Sequence, residues 1–205
     1  MKNPWEKIQL SDYENHMKFD SIMQLQAMNE MMKIQFDSYP ISSVIILGIA
    51  GGNGLEHIQK EKFSKVYGID INSDYLKEVA NRYKGLNNIL ELLCINLKDK
   101  SYLLPKADMI IANLLIEYIG YECFQRTVLL VNPKYVSCII QVNTEENWIS
   151  NSPYLKAFDE LERVYLQIEE QKLINTMKEI DYRVITTLER LLPNEKKLLQ
   201  IDFKY

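Results

Sequence analysis

Short apolar runs recur along the chain at intervals that suit strands alternating with helices. Runs at residues 44–49, 65–70, 89–95, 107–113 and 135–142 are strand-length and rich in Val, Ile and Leu. Helical stretches are expected between them, from about Gly52 to Lys60, from Ser73 to Tyr83 and from Leu115 to Leu130. A β-α-β-α-β order of this kind predicts a mainly parallel sheet. After the segment Asn143 to Pro153, a long charged helix is expected over Tyr154 to Met177. Residues 182–188 and 197–203 then alternate apolar and polar around Pro193-Asn194-Glu195, the pattern of a terminal β-hairpin. At the other end, residues Asp12 to Phe36 hold neither Pro nor Gly. Their apolar groups, Tyr13, Met17, Ile22, Leu25, Met28, Met32 and Phe36, follow a helical period, and Pro40, Ser42 and Ser43 mark the way into the first strand.

The pattern predicts an α/β fold: a mainly parallel, doubly wound, seven-stranded sheet with helices on both faces, a C-terminal antiparallel β-hairpin and an N-terminal helical cover. The expected division is residues 1–42 as a helical lid or substrate segment and residues 43–205 as the main domain. At 205 residues and 47% hydrophobic content, the chain has ample material for a continuous core. No apolar run approaches the ~20 residues needed to span a bilayer, and Met1-Lys2-Asn3-Pro4-Trp5-Glu6-Lys7 lacks a signal-peptide core. A cytoplasmic protein with no membrane partner is expected. Its net charge of -4 gives no drive toward a phosphate backbone, so no nucleic-acid partner is expected. Cys94, Cys123 and Cys138 have no metal-type spacing and lie in apolar surroundings, which reads as reduced core thiols.

Four of the seven glycines, Gly48, Gly51, Gly52 and Gly54, fall within seven residues after the first strand. A strand, a glycine turn and a helix in that order place backbone where a ligand can lie against it. Asp70 closes the second strand, where a carboxylate can accept hydrogen bonds from a ribose. A nucleoside-bearing cofactor is the leading reading; a tight bend alone is the plain one. No Gly-Lys-Ser/Thr follows the turn, so a Walker A phosphate loop is a poor fit, and His57 stands where a dinucleotide fingerprint needs its third glycine.

With five alternating units, this glycine turn, the acid after strand two and a terminal hairpin, residues 42 to 205 resemble the Rossmann-like, class I S-adenosylmethionine-dependent methyltransferases. Aligned on Gly52-Asn53-Gly54, Gly48 takes the place of the family's first-motif acid and Ala50 that of its first glycine. The resemblance implies S-adenosylmethionine as cofactor, held by Gly48, Ala50, Gly52, Gly54, Asp70 and Ile71. It also implies Asn96 and Leu97 near the adenine, and Asn113 at the start of the fourth motif, Asp108 to Ile119. Because no Asn/Asp-Pro-Pro-Tyr stands there, a small-molecule acceptor is preferred over nucleic acid.

Methyl transfer from a sulfonium needs alignment and exclusion of water rather than a metal. A general base helps a hydroxyl or ammonium acceptor. His16 and His57 are the only histidines; His16 shares a helix face with Tyr13 three residues away, in the segment that covers the site in relatives of this fold. His16, Tyr13 and Tyr118 are the candidate catalytic residues, with Glu117 beside Tyr118 as another. Two further classes stay open, an NAD-dependent oxidoreductase and a non-catalytic cofactor-binding regulator.

Overall fold

The computed structural model describes residues 3–142 and 149–205; most of the expected connecting segment from Asn143 onward lies outside them, as do Met1 and Lys2. Seven strands form one sheet: β1 (Ser43–Leu47), β2 (Lys65–Asp70), β3 (Leu90–Cys94), β4 (Met109–Asn113), β5 (Tyr135–Val142), β6 (Arg183–Leu191) and β7 (Lys197–Lys204). Their order is β3-β2-β1-β4-β5-β7-β6. The first five strands pair in parallel, and β7 enters antiparallel between β5 and β6. The expected mainly parallel sheet with a terminal hairpin is therefore present. In a six-stranded dinucleotide-binding sheet no antiparallel strand is inserted at this place.

Alternate residues of each buried strand feed opposite faces. Ile45 and Leu47 join Ile110, Phe124, Val128, Leu173 and Met177 on one side. Val44 and Ile46 join Phe36, Val66, Val79 and Ile111 on the other. The first face is covered by α6 (Tyr121–Val131) and α7 (Glu170–Lys178), the second by α2 (Gln24–Asp37) and α3 (Ser73–Arg82).

Several expected elements are shorter. The stretch Asp12 to Phe36 splits into α1 (Leu10–Met17) and α2, because Met23 takes a left-handed conformation at φ 48° and buried Ile22 pins the intervening turn. The helix expected from Gly52 is a single 3-10 turn, Leu55–His57, which starts from left-handed Gly54 and ends in extended Ile58. Gly120 divides the fourth crossover into α5 (Ile116–Ile119) and α6. The long helix expected over Tyr154 to Met177 is a 3-10 segment, Leu155–Arg163, followed by non-helical chain and then α7. The 3-10 segment has the three-residue period of that helix type and buries Phe158 and Leu161. The Leu166 N–H then donates to the Glu117 carbonyl (2.7 Å) and the Glu169 N–H to the Tyr121 hydroxyl (2.7 Å), so local partners hold this chain outside a helix.

A further correction concerns the cysteines. Cys123 and Cys138 are buried, but Cys94 is exposed at the end of β3. No helix among the described residues is long and apolar enough to cross a membrane.

Candidate active site

The sheet reverses its strand order between β1 and β4, and the registers bring their carboxyl ends level: Leu47 lies beside Ile69 on one side and Ala112 on the other. A crevice opens at such a switch point. Here it is a cavity of about 730 Å³, counting the part open to solvent. Gly48 and Ala50 line it from beyond β1, Asp70 and Ile71 from β2, Asn96 and Leu97 from beyond β3, and Asn113 and Leu114 from β4. Asn3, Trp5 and Tyr13 close it from the amino-terminal segment, and Tyr118 from α5.

Asp70 is held in a fixed pose. Its Oδ2 accepts the Ala50 N–H (2.9 Å) and its Oδ1 the Asn72 N–H (2.9 Å). Burial pushes its carboxyl pKa upward, against the pull of the Asn72, Ala50 and Ile71 backbone N–H groups. Three N–H donors leave part of the carboxylate's acceptor capacity for a diol. Ala50 reaches this geometry only in the left-handed region, at φ 47°, and Leu114 on the opposite wall does the same at φ 52°. Two non-glycine residues in so sparse a conformation flank one cavity, where backbone strain tends to gather.

Asn96 lines the cavity while capping the short helix α4 (Leu97–Lys100): its Oδ1 accepts the Lys98 N–H (3.1 Å) and its Nδ2 donates to Asp99 (2.7 Å). Asn113 exchanges two hydrogen bonds with Gln35, both 2.9 Å, and Gln35 continues to Ser137 and on to Asp202. Tyr39 donates to the same Asp202 (2.7 Å). This chain of polar side chains beneath the cavity was not expected from sequence. Its signal was there in Gln200 and Asp202, which alternate with apolar residues along β7 as a solvent face would; α2 covers that face, and both are 1% exposed.

The structure does not bring Gly52 or Gly54 to the cavity. A Cβ on Gly52 would sit 2.7 Å from the Tyr83 ring and one on Gly54 2.8 Å from Met32. Gly51 likewise lies under the Glu14–Arg82 ion pair, where an added Cβ would collide with Glu14 Oε1. These glycines do permit close approach, but of the protein's own side chains. Only Gly48, of the four, lines the cavity.

A second chamber of about 580 Å³ adjoins the first, sharing Trp5, Tyr13, Leu114 and Tyr118 as walls. His16 lies here, 4% exposed, with Nδ1 2.7 Å from the Ser152 hydroxyl and its ring against Phe158 (4.7 Å between centroids). Burial, helped by the Lys196 charge, lowers its pKa to about 4. The ring is neutral at pH 7 and is a weaker base than its ordinary pKa led the sequence reading to expect. Tyr13 and Tyr118 are pushed upward by burial and stay protonated at neutral pH. Glu117 is the better-tuned group. It is 3% exposed, its Oε1 accepts the Gln141 N–H (3.1 Å), its Oε2 has no partner, and burial pushes its pKa up to about 7.

No family model and no curated protein matches the sequence. The structure is similar to the cyclase SpnF (TM-score 0.66, 9% identity, 87% of this chain and 81% of that one). It is similar to geranyl diphosphate methyltransferase in complex with SAM (TM-score 0.65, 9% identity, 87% and 84%). It is also similar to magnesium protoporphyrin IX methyltransferase from Synechocystis PCC 6803 with bound SAM (TM-score 0.63, 11% identity, 98% and 89%). With its strand order, its reversed seventh strand and these neighbours, the chain has the fold of the class I S-adenosylmethionine-dependent methyltransferases.

Proposed function

We propose that this protein is an enzyme that transfers a methyl group from S-adenosylmethionine to a small organic acceptor. One observation carries the reading: two chambers meet at the carboxyl ends of the central strands, and the wall between them is Trp5, Tyr13, Leu114 and Tyr118. Fold alone does not decide chemistry, since a cyclase shares it. The donor set does more. An anchored acid with free lone pairs, exposed backbone around Gly48 and Ala50, and apolar walls at Ile71 and Leu97 suit a ribose, an amino-acid tail and a purine. Two of the neighbours were solved with S-adenosylmethionine bound.

In this account Asp70 accepts from the ribose hydroxyls, Ile71, Leu97 and Asn96 flank the adenine, and Gly48, Ala50 and Asn113 border the methionine end. When bound, the sulfonium supplies an activated methyl group. The chain's part is to align the acceptor and keep water out. Tyr13 and Tyr118 stand in the wall shared by the chambers, and His16, neutral and fixed by Ser152, shapes the acceptor side. Residues 3–17 act as the cover. They are tied down by the Asn72 side-chain amide donating to the Trp5 carbonyl (2.9 Å), the Tyr75 hydroxyl donating to the Ile8 carbonyl (3.0 Å) and the Glu14–Arg82 pair. α2 belongs with the main domain, because Phe36 is fully buried beside Val44 and Ile46.

Asp70→Ala tests the cofactor half of the reading. A hydrogen bond to a charged group contributes about 1.5–3 kcal/mol, so S-adenosylhomocysteine should bind roughly 10- to 150-fold more weakly by calorimetry. Asp70→Asn, which keeps one carbonyl acceptor for the Ala50 or Asn72 N–H, should lose less. Unchanged affinity in a folded Asp70→Ala protein would remove the acid from the site.

A further inference from the structure

The second chamber combines features that select one chemical class of acceptor. Glu117 brings a carboxylate that is almost wholly buried, anchored through Oε1 to the Gln141 backbone and left without a partner at Oε2. Around it stand the rings of Trp5, Tyr13, Tyr118, Phe158 and Tyr165. Trp5 and Tyr118 meet edge to face at 4.9 Å, and Tyr118 and Tyr165 at 6.1 Å. Among the described residues no Lys or Arg lines this space; Lys196, which acts on His16 from nearby, is not part of the wall. Trp5, which lines both chambers, carries a second orphan: its Nε1 is buried and has no acceptor.

We propose that the second chamber binds an organic amine in its ammonium form, with Glu117 as the counter-ion and the aromatic rings as its walls. The proposal rests on the methyl-transfer reading and names the acceptor class for it.

The physical argument has three parts. A buried carboxylate oxygen with no donor is costly, and a ligand that brings N–H groups removes that cost. A cation is favoured over a neutral donor because it meets both the acid and the negative faces of the surrounding rings. Trp5 Nε1 adds a donor for an oxygen or nitrogen elsewhere on the ligand, so a flat molecule with an ammonium at one end and an acceptor atom at the other satisfies both orphans. Glu117 is also placed to take one N–H proton. That transfer leaves a neutral amine with a free lone pair and a neutral carboxylic acid, which returns the proton to water when the product departs. Tyr118, next to Glu117 in sequence, lines both chambers, so an amine held by the acid lies beside the wall shared with the cofactor cavity.

The test is a calorimetric comparison on the full chain, with and without saturating S-adenosylhomocysteine. The probes are tyramine and phenethylamine, each against the alcohol of the same skeleton, tyrosol and phenethyl alcohol. Each amine should bind at least about tenfold more tightly than its alcohol, the scale of one charge-assisted contact, with tyramine ahead of phenethylamine. Glu117→Gln should abolish the preference while S-adenosylhomocysteine binds as before, because Glu117 does not line the cofactor cavity. Equal binding of amine and alcohol to the unaltered protein, failure of both amines to bind, or a preference that survives Glu117→Gln would overturn the proposal. The comparison on the unaltered protein decides the matter even if the variant does not fold. Failure of S-adenosylhomocysteine to bind the unaltered protein would instead strike at the methyl-transfer reading, and the amine-to-alcohol ratio measured without it would still be informative on the chamber.

Discussion

Gly52→Val is expected to unfold the glycine turn rather than to blind an intact protein to its cofactor. Gly52 has φ +80°, and a Cβ there would lie 2.7 Å from the Tyr83 ring and 3.0 Å from Leu55. A β-branched residue in the left-handed region costs about 1–2 kcal/mol, and forcing extra volume into packed surroundings about 1–3 more. The combined loss, roughly 2–5 kcal/mol, corresponds to a fall in Tm of roughly 5–15 °C for a chain of this size. S-adenosylhomocysteine affinity of the protein that remains folded should change by less than about threefold, since Gly52 does not line the cavity. A variant with unchanged Tm and no binding would restore the sequence-based expectation that this glycine touches the ligand.

The second large effect is a pH dependence set by Glu117. In the unfolded chain its carboxyl titrates near 4.5, and in the fold burial pushes it up to about 7. Between these values the folded protein holds a proton that the unfolded chain has released. The stabilisation is therefore complete below pH 4.5 and is lost as pH rises through 7. The size is about 3 kcal/mol of order, from the separation of the two values. Denaturant unfolding of the unaltered protein and of Glu117→Gln should give curves whose stability difference moves by that amount in favour of the glutamine variant between pH 4.5 and pH 7.5. His16 works in the opposite sense: its pKa is lowered to about 4, so its contribution is lost as pH falls from 6.5. The glutamine comparison removes this shared background. A difference that stays flat with pH would mean that Glu117 is ionised in the empty chamber.

The fold was legible because its central strands are buried on both faces. Runs such as Val44-Ile45-Ile46-Leu47 and Met109-Ile110-Ile111-Ala112 have no other place to go in a protein of this size, and all eight residues are at most 3% exposed. Asp70, Ile71, Asn96 and Asn113 were legible for a related reason, since each ends or follows a strand and so reaches the crevice at the carboxyl edge. The glycine turn was read too simply. Chemistry at Gly52 and Gly54 calls for a close neighbour, but sequence cannot say whether that neighbour is a cofactor or Tyr83 and Met32. Gln200 and Asp202 on β7 show the same limit: alternation records polarity, but α2 covers both, and Asp202 accepts hydrogen bonds from Tyr39, Ser137 and Gln200. The tuning of His16 and Glu117 depends on burial by segments far apart in sequence, 152 and 158 against the histidine and 141 against the acid, which no local pattern reveals.

Residues 3–17 carry the link from packing to function. Trp5 and Tyr13 stand in both chambers, so the hydrogen bonds from Asn72 and Tyr75 that tether this segment to α3 and the residue before it also shape the wall where transfer would occur. In the proposed role of a cover, this segment would exclude water when closed and admit ligand when open. Its anchors run from the buried Tyr75 hydroxyl and Asn72 amide to the partly exposed Glu14–Arg82 pair.

The account stands or falls on where the two chambers meet. A crystal structure of the protein with S-adenosylhomocysteine decides it most directly. The ribose should lie on Asp70, and the sulfur should face the shared wall of Tyr13, Leu114 and Tyr118, opening toward Glu117. A nucleoside bound with its ribose away from Asp70, or a sulfur turned away from the second chamber, would contradict the assignment of the two spaces to cofactor and acceptor.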